Sequence, residues 1–151
     1  MPKSLALLTY ELEKAEAALH RAWEASSNPM LLWSRPNGIS EEDYEKLCSI
    51  RFEAEMTFRQ ALWDRVKSKR DRFLRSKTVP RMRDWFKLRN ELARAQSHSE
   101  QLEELGPDFS TMAERCQAHA EAWLAGELLE IAGAKIRAAQ QRQLNDKRAG
   151  I

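Results

Sequence analysis

The sequence predicts an all-α protein of four long helices, arranged as an antiparallel helical bundle or as stacked helical hairpins. Three observations lead to this prediction. Charged residues make up 32% of the chain, with only five glycines and five prolines, which favours long helices over strands joined by turns. Apolar residues recur at steps of three and four. Breaks that contain Pro or Gly separate four such segments.

The first helix is predicted over about residues 4–25. Its apolar positions alternate steps of three and four, so they share one narrow stripe suited to packing against another helix. The stripe consists of Leu5, Leu8, Leu12, Ala15, Leu19 and Ala22. Pro29 and Pro36 then interrupt the pattern, and we expect the longest irregular connection of the chain there.

The second helix is predicted over about residues 40–76. Ser40 is followed by three acidic residues, a pattern typical of a helix start, because the hydroxyl accepts a free backbone N–H and the carboxylates suit the helix dipole. Its apolar face follows Tyr44, Leu47, Ala54, Phe58, Ala61 and Leu62. Phe52, Met56 and Trp63 widen this face, so we expect it to touch more than one neighbour.

The third helix is predicted over about residues 80–105, after a short turn, because Pro80 suits a first helical turn and Gly106 followed by Pro107 stops a helix. Its stripe consists of Trp85, Leu88, Leu92, Ala95, Ser99 and Leu102.

The fourth helix is predicted over about residues 108–142, with a bend at Gly126 and Gly133. Beyond about Gln143 the apolar face disappears, so we expect a frayed or disordered basic tail over 143–151. The length of the chain predicts a single helical-bundle domain over 1–142.

Positive charge is concentrated around the turn between the second and third helices. Between Asp64 and Arg89 there are eleven Lys and Arg and three Asp, although the net charge of the whole chain is only +2. In an up-down-up-down bundle this turn lies at the same end as both termini, so the sequence predicts a basic pole. The candidate binding residues there are Arg65, Lys69, Arg70, Arg72, Arg75, Arg81, Arg83 and Lys87.

Two interpretations of this cluster remain open. Clustered Lys and Arg bind phosphates with release of counterions, but they also keep a protein soluble, and cations suit the C-terminal end of a helix dipole. Arg81 and Arg83 favour a partner, because positive charge in a first helical turn costs about 0.3–1 kcal/mol each at low salt. We expect that partner to be a nucleic acid, a nucleoprotein complex or an acidic protein surface.

Aromatic residues accompany the basic residues. Trp63 and Trp85 occupy apolar positions of their helices, so we expect them in the core. Phe73 and Phe86 are left open between packing across the turn and stacking on bases, as aromatic rings do in single-strand binders. Val66, Phe73 and Met82 are expected to face inward.

A second feature is the apolar segment Met30, Leu31, Leu32 and Trp33, which falls in the long connection. We expect it to cover an open end of the bundle or to dock onto a partner protein.

The sequence gives no support for an enzyme, a metal site or a cofactor. Cys116 and His119 share a helical face, but two further ligands with metal-site spacing are missing. No apolar run reaches the 18 or more residues of a membrane span. The distant cysteines Cys48 and Cys116 predict reduced, half-buried thiols in the cytoplasm.

The sequence therefore favours a non-enzymatic helical protein that contacts nucleic acid or a nucleoprotein complex through its basic hairpin. The alternative is a protein-protein adaptor or inhibitor, which would bind through complementary charge and the apolar loop. Heptads in the first and third helices would also suit a homodimer.

Overall fold

The protein folds into four long α-helices. The computed structural model describes residues 3–24 and 38–150, and within them the chain forms no β-strand. The helices are α1 (Leu5–Glu24), α2 (Glu41–Arg75), α3 (Met82–Leu105) and α4 (Met112–Ala149). The predicted all-α bundle of four long helices is confirmed.

The helices contribute to two compact units. The first unit holds α1, α2 as far as Leu62, and residues 111–113. The second holds α2 from Trp63 onward, α3, the turn that ends at Ser110, and α4 from Glu114. A single domain over 1–142 stays a prediction.

The first unit is a helical hairpin. The predicted stripe of α1 lies inside it, with Leu8, Leu12 and Ala15 buried against the hairpin core that Phe58 and Leu62 of α2 complete. Apolar burial of this kind supplies most of the stability of such a pair.

The direction of the two helices follows from their ring contact. Trp23, near the end of α1, meets Tyr44, near the start of α2, with ring centroids 6.0 Å apart and planes at 90°. The two helices are therefore antiparallel. Burial and a side-chain hydrogen bond with Cys48 raise the pKa of Tyr44.

Both helices of the first unit begin at a serine cap. The Leu7 N–H donates to Ser4 Oγ at 3.1 Å. The Asp43 N–H donates to Ser40 Oγ, also at 3.1 Å. Each hydroxyl satisfies one backbone donor that has no partner inside its helix. The predicted cap at Ser40 is confirmed.

Two apolar residues of α2 do not pack as we expected. Phe52 is 60% exposed and Met56 52% exposed, although the sequence suggested that they would touch further neighbours. Within the first unit α2 packs along the face of Phe58, and these two side chains lie outside that contact. An apolar residue beside the main stripe of a helix is buried only where a second neighbouring helix covers it.

The second unit contains three helix segments. On α3, Leu92 and Trp85 approach Gly126 and Gly133 of α4, so residue numbers fall along α3 as they rise along α4. This makes α3 antiparallel to α4. The end of α2 runs parallel to α4, because its earlier residue Trp63 packs on Trp123 and its later residue Phe73 meets Lys135.

The two glycines of α4 lie where α3 packs closely. A Cβ atom added at Gly126 would lie 3.7 Å from Leu92 Cδ1, and one at Gly133 would lie 3.5 Å from Trp85 Nε1. Both pairs are seven residues apart on their helices, so they follow one another along an antiparallel contact. The helix continues through both glycines, and their lack of a side chain leaves room for α3.

The connection from α3 to α4 is longer than the sequence predicted. α3 ends at Leu105 as expected, and Gly106 adopts a positive φ of +72°. The Phe109 and Ser110 N–H groups then return to the Gly106 carbonyl, at 3.3 and 3.0 Å. This turn delays the start of α4 from the expected residue 108 to Met112.

A buried serine anchors that turn. Ser110 is 5% exposed, and its Oγ lies within hydrogen-bonding distance of the Leu102 and Gly106 carbonyls, at 3.1 and 2.8 Å. Arg115 Nη1 donates to the Ser110 carbonyl at 2.7 Å and to its Oγ at 2.9 Å. The turn is therefore tied to both the helix before it and the helix after it.

The end of α4 also differs from the prediction. We expected fraying from about Gln143, but the helix continues to Ala149. The segment is rich in Ala, Gln, Arg and Lys, which favour helix without tertiary contacts. A hydrogen bond from Gln141 Nε2 to Asn145 Oδ1 at 3.1 Å supports it, one turn apart along the helix.

Candidate nucleic-acid interface

The candidate interface is the basic hairpin, which we define as residues 65–89. It comprises the last part of α2, the turn over residues 76–81 and the first part of α3. Seven of the eight candidate residues are exposed. The exposed residues are Arg65, Lys69, Arg72, Arg75, Arg81, Arg83 and Lys87.

These cations form ridges along the two helices. Arg65, Lys69 and Arg72 are spaced by four and three residues, so they share one stripe of α2. Arg83 and Lys87 share a stripe of α3 for the same reason. Charges of one sign at this density give a local field that attracts anions even when the net charge of the chain is small.

The eighth candidate, Arg70, is already engaged within the second unit. Its Nε and Nη2 donate to Asp71 Oδ1, at 3.1 and 2.9 Å. Its guanidinium also lies over the Trp123 ring, 5.5 Å from the ring centroid. Arg70 therefore joins α2 to α4, and the exposed cations form the candidate surface.

The start of α3 compensates part of its unfavourable charge. Arg81 is the residue before the helix, and its backbone N–H donates to Asp84 Oδ2 at 2.9 Å. Asp84 thus places a negative charge in the first turn, where the helix dipole favours it. The side chains of Arg81 and Arg83 remain exposed, so the hairpin still presents positive charge next to this helix start.

The inward-facing residues of the hairpin were predicted in part. Val66 is 4% exposed, which confirms its place in the core, and Phe73 is half-buried. Met82 is 49% exposed, so the expectation that it faces inward was wrong. It is the first residue of α3, directly after the turn, and lies beyond the packed part of the helix.

The two tryptophans of the region are half-buried and pack on other rings. The centroid of Trp63 lies 5.3 Å from that of Trp123, with the planes at 74°. The centroid of Trp85 lies 5.1 Å from that of Phe86, with the planes at 82°. Edge-to-face contacts of this kind are favourable for aromatic pairs. Both tryptophans therefore contribute to packing within the second unit.

One residue that positions the hairpin was not among the candidates. Lys135 of α4 donates from Nζ to the Phe73 carbonyl and to the Ser76 carbonyl, each at 2.6 Å. The same Nζ lies 5.0 Å from the centroid of the Phe73 ring. Lys135 therefore caps the C-terminal end of α2, where backbone carbonyls lack helical partners and the dipole favours a cation.

A shallow groove of about 310 Å³ runs beside the turn, between the end of α2 and α3. Phe73, Pro80 and Leu88 supply apolar surface, while Asp84 and Glu91 bring negative charge to its edge. Carboxylates at this position repel phosphate. Lys87, one of the candidate residues, also lines the groove, so the groove borders the candidate surface and combines apolar, negative and positive groups.

The C-terminal part of α4 extends the positive surface. At 1.5 Å per residue, α4 continues about 20 Å beyond Lys135 before it ends at Ala149. Every described residue from 140 onward is exposed. The exposed basic residues of this part are Arg137, Arg142, Lys147 and Arg148.

The second predicted contact segment, Met30 to Trp33, lies outside the described residues. Cys48 and Cys116 are half-buried and form no disulfide, as the sequence predicted. The exposed His119 packs its ring on Trp63, with centroids 6.2 Å apart.

The described residues form neither a metal site nor a membrane span. Over residues 3–24 and 38–150, no three His, Cys, Asp or Glu side chains are grouped as a metal site would need. No helix within the same residues has the length and apolar character to cross a membrane. In comparisons with known proteins, no family model, curated protein or solved structure matches the chain.

Proposed function

We propose that this protein is a non-enzymatic helical protein that contacts nucleic acid, alone or within a nucleoprotein complex, through its basic hairpin. The observation that carries the proposal is the set of ten exposed Lys and Arg side chains on residues 65–89, seven of which are the candidate residues. The proposed binding is to phosphates, so it requires no particular base sequence.

The physical basis is the exchange of counterions. A phosphate backbone holds condensed cations, and Lys or Arg side chains that replace them release these ions into solution. The arginines also offer planar, bidentate donors to phosphate oxygens. Lys135 supports the proposal indirectly, because it fixes the end of α2 and thereby the part of the hairpin that carries Arg72 and Arg75.

The proposal is tested by direct binding to short oligonucleotides in about 50 mM salt. We expect the wild-type protein to bind at micromolar concentration, the range of non-specific affinities. The variant Arg72→Glu with Arg83→Glu should bind at least tenfold more weakly, because each substitution replaces an attraction to phosphate with a repulsion.

A matched control separates local charge from net charge. Lys14→Glu with Lys46→Glu changes two exposed lysines of the first unit and also takes the net charge from +2 to −2. If the hairpin is the binding surface, this control should keep most of the affinity. Equal losses in both variants, or no binding by the wild type, would contradict the proposal.

An adaptor or inhibitor of another protein is the second candidate function. It is favoured by exposed apolar side chains among the cations of the same hairpin, because such side chains often contact a partner protein. They are Leu74, Val79, Met82 and Phe86, which are 42–55% exposed. Capture of a protein partner that Arg72→Glu with Arg83→Glu abolishes, together with no oligonucleotide binding, would support this function instead.

A cytoplasmic location and self-association are further parts of the proposal. Two half-buried cysteines that form no disulfide support a reducing compartment. The heptad stripes of α1 and α3 are used inside the two units, where Leu8, Leu12 and Leu102 are buried. A homodimer would therefore need other surfaces, and the mass in solution by light scattering tests it.

A further inference from the structure

One aromatic ring of the basic hairpin remains open to solvent. Phe86 is 51% exposed, although it lies on a helix with a well-formed apolar stripe. Its contact with Trp85 leaves about half of the side chain exposed, so the ring can also take part in a contact outside the chain.

The other aromatic rings of this region have partners within the second unit. Trp63 packs on Trp123, and Phe73 lies beneath the Lys135 ammonium group. Trp85 packs against α4 near Gly133. The sequence alone left Phe73 and Phe86 open between packing and an external contact. Phe73 packs within the second unit, whereas Phe86 is exposed enough for an external contact.

Helix geometry places arginines on both sides of Phe86. Residues three positions apart on a helix are neighbours on its surface, so Arg83 and Arg89 flank the ring, one turn before and one turn after it. Both side chains are exposed. A nucleotide presents a flat apolar base together with a phosphate, and this face of α3 offers an aromatic ring with an arginine one helical turn to either side.

The ring is also held in place. Its edge-to-face contact with Trp85 joins centroids 5.1 Å apart, and the Arg89 guanidinium lies 5.8 Å from the centroid of the Trp85 ring. A fixed ring loses less conformational entropy when a base stacks on it than a freely moving side chain does.

We propose that the basic hairpin binds single-stranded nucleic acid in preference to duplex, with an unpaired base stacked on Phe86 and phosphates held by Arg83 and Arg89. This inference rests on the proposed function and names the nucleic-acid class. Bases in a duplex are already stacked and turn only their edges outward, so only an unpaired base can lie flat on the ring.

A protein partner fits this face less well. The apolar core of a typical protein interface belongs to a patch of about 800 Å² per partner, and lysine is depleted there. The segment from Asp64 to Arg89, which contains Phe86, instead has eleven Lys and Arg and only three Asp. A partner for this face must supply both apolar and negative groups, and the alternating bases and phosphates of a nucleic acid do so.

The test compares a labelled single-stranded oligonucleotide of about 20 nucleotides with a blunt duplex of the same sequence, by fluorescence anisotropy at fixed low salt. Phe86→Leu keeps apolar bulk against Trp85 but removes the aromatic face. Phe86→Trp keeps an aromatic face. Phe52→Leu is the matched control, because Phe52 is a 60% exposed phenylalanine of the first unit. Circular dichroism verifies that every variant remains folded.

We expect Phe86→Leu to weaken single-strand binding roughly 5- to 150-fold, the range for loss of one stacked base, and to leave duplex binding unchanged. Phe86→Trp and Phe52→Leu should retain wild-type affinity for the single strand. If oligonucleotides bind but Phe86→Leu has no effect, or the duplex binds as tightly as the single strand, the stacking inference fails and the proposed function stands. If neither oligonucleotide binds, both fail.

Discussion

Replacing Lys135 with methionine should loosen the end of α2. The lysine ammonium group donates to the Phe73 and Ser76 carbonyls, each at 2.6 Å, and lies over the Phe73 ring at 5.0 Å. Methionine has a similar length and keeps apolar contact with the ring, but it can donate no hydrogen bond. The substitution therefore removes the cap and leaves most of the packing in place.

The expected cost is about 1–2 kcal/mol of unfolding free energy. A hydrogen bond from a charged donor contributes about 1.5–3 kcal/mol when buried, and a cation at a helix C-terminus contributes about 0.3–1 kcal/mol. The bond to Ser76 is exposed and the bond to Phe73 only partly buried, so the lower part of this range applies.

Urea denaturation measures this cost. With a slope of about 2 kcal/mol per molar urea, the middle of the usual range, we expect the midpoint to fall by roughly 0.5–1 M. Lys147→Met is the matched control, since Lys147 is an exposed lysine in the last turn of the same helix. This control loses only the helix-end charge contribution of about 0.3–1 kcal/mol, so it should cost less than Lys135→Met, which also loses hydrogen bonds.

Hydrogen exchange gives a local measure of the same change. The Ser76 N–H donates to the Arg72 carbonyl at 3.1 Å, in the last turn that Lys135 caps. Amides of this turn should exchange faster in Lys135→Met, while those of α1 should not change. Equal midpoints for Lys135→Met and Lys147→Met, with unchanged exchange at the end of α2, would refute the role of Lys135 as a cap.

Three further predictions concern stability. Gly126→Ala should raise the unfolding free energy by about 0.5–1 kcal/mol in thermal denaturation, because alanine favours helix and the added Cβ would meet Leu92 at an ordinary 3.7 Å; a lower melting temperature would contradict this. Ser40→Ala should cost about 1 kcal/mol through loss of the α2 cap, and an unchanged midpoint would argue against that cap. The raised pKa of Tyr44 implies stability that is complete below the unfolded pKa of about 10 and is lost as the pH rises through the higher folded value; Tyr44→Phe should therefore flatten the fall in melting temperature above about pH 10.

The helices and their inner faces could be predicted because they depend on local patterns. The stripe of α1 from Leu5 to Ala22 and that of α3 from Trp85 to Leu102 are half-buried or buried throughout. Ser40 and Gly106 act at helix ends through contacts with residues no more than four positions away. Contacts between residues so close in sequence can be predicted from a short stretch of the chain.

The exceptions depend on distant parts of the chain. Phe52 and Met56 have apolar side chains at helical spacing, but periodicity does not reveal whether a neighbouring helix is there to cover them. The late start of α4 reflects the closed turn around the Gly106 carbonyl, which competes with a helix start at Asp108. The bend expected at Gly126 and Gly133 stays a prediction, and the close approach of α3 to both glycines could not be read from α4 alone.

The candidate surface was predicted as a set of charges, but not in its detail. Lys and Arg rarely lose contact with water, so exposure of Arg72 or Arg83 follows from residue type alone. Arg70 differs because its guanidinium group contacts Trp123 and Asp71. Lys135 donates a hydrogen bond to α2 although 62 residues of sequence separate it from Phe73. Such pairings require the tertiary fold.

The salt dependence of single-strand binding tests the central claim most directly. If the seven exposed candidate residues each contact one phosphate, the slope of log K against log salt is about −5, at about 0.7 per phosphate contact. We predict a slope between about −3 and −5 for the wild type, reduced in magnitude by about 1–2 in Arg72→Glu with Arg83→Glu. A wild-type slope near zero, or the same slope in both proteins, would contradict phosphate binding by this hairpin.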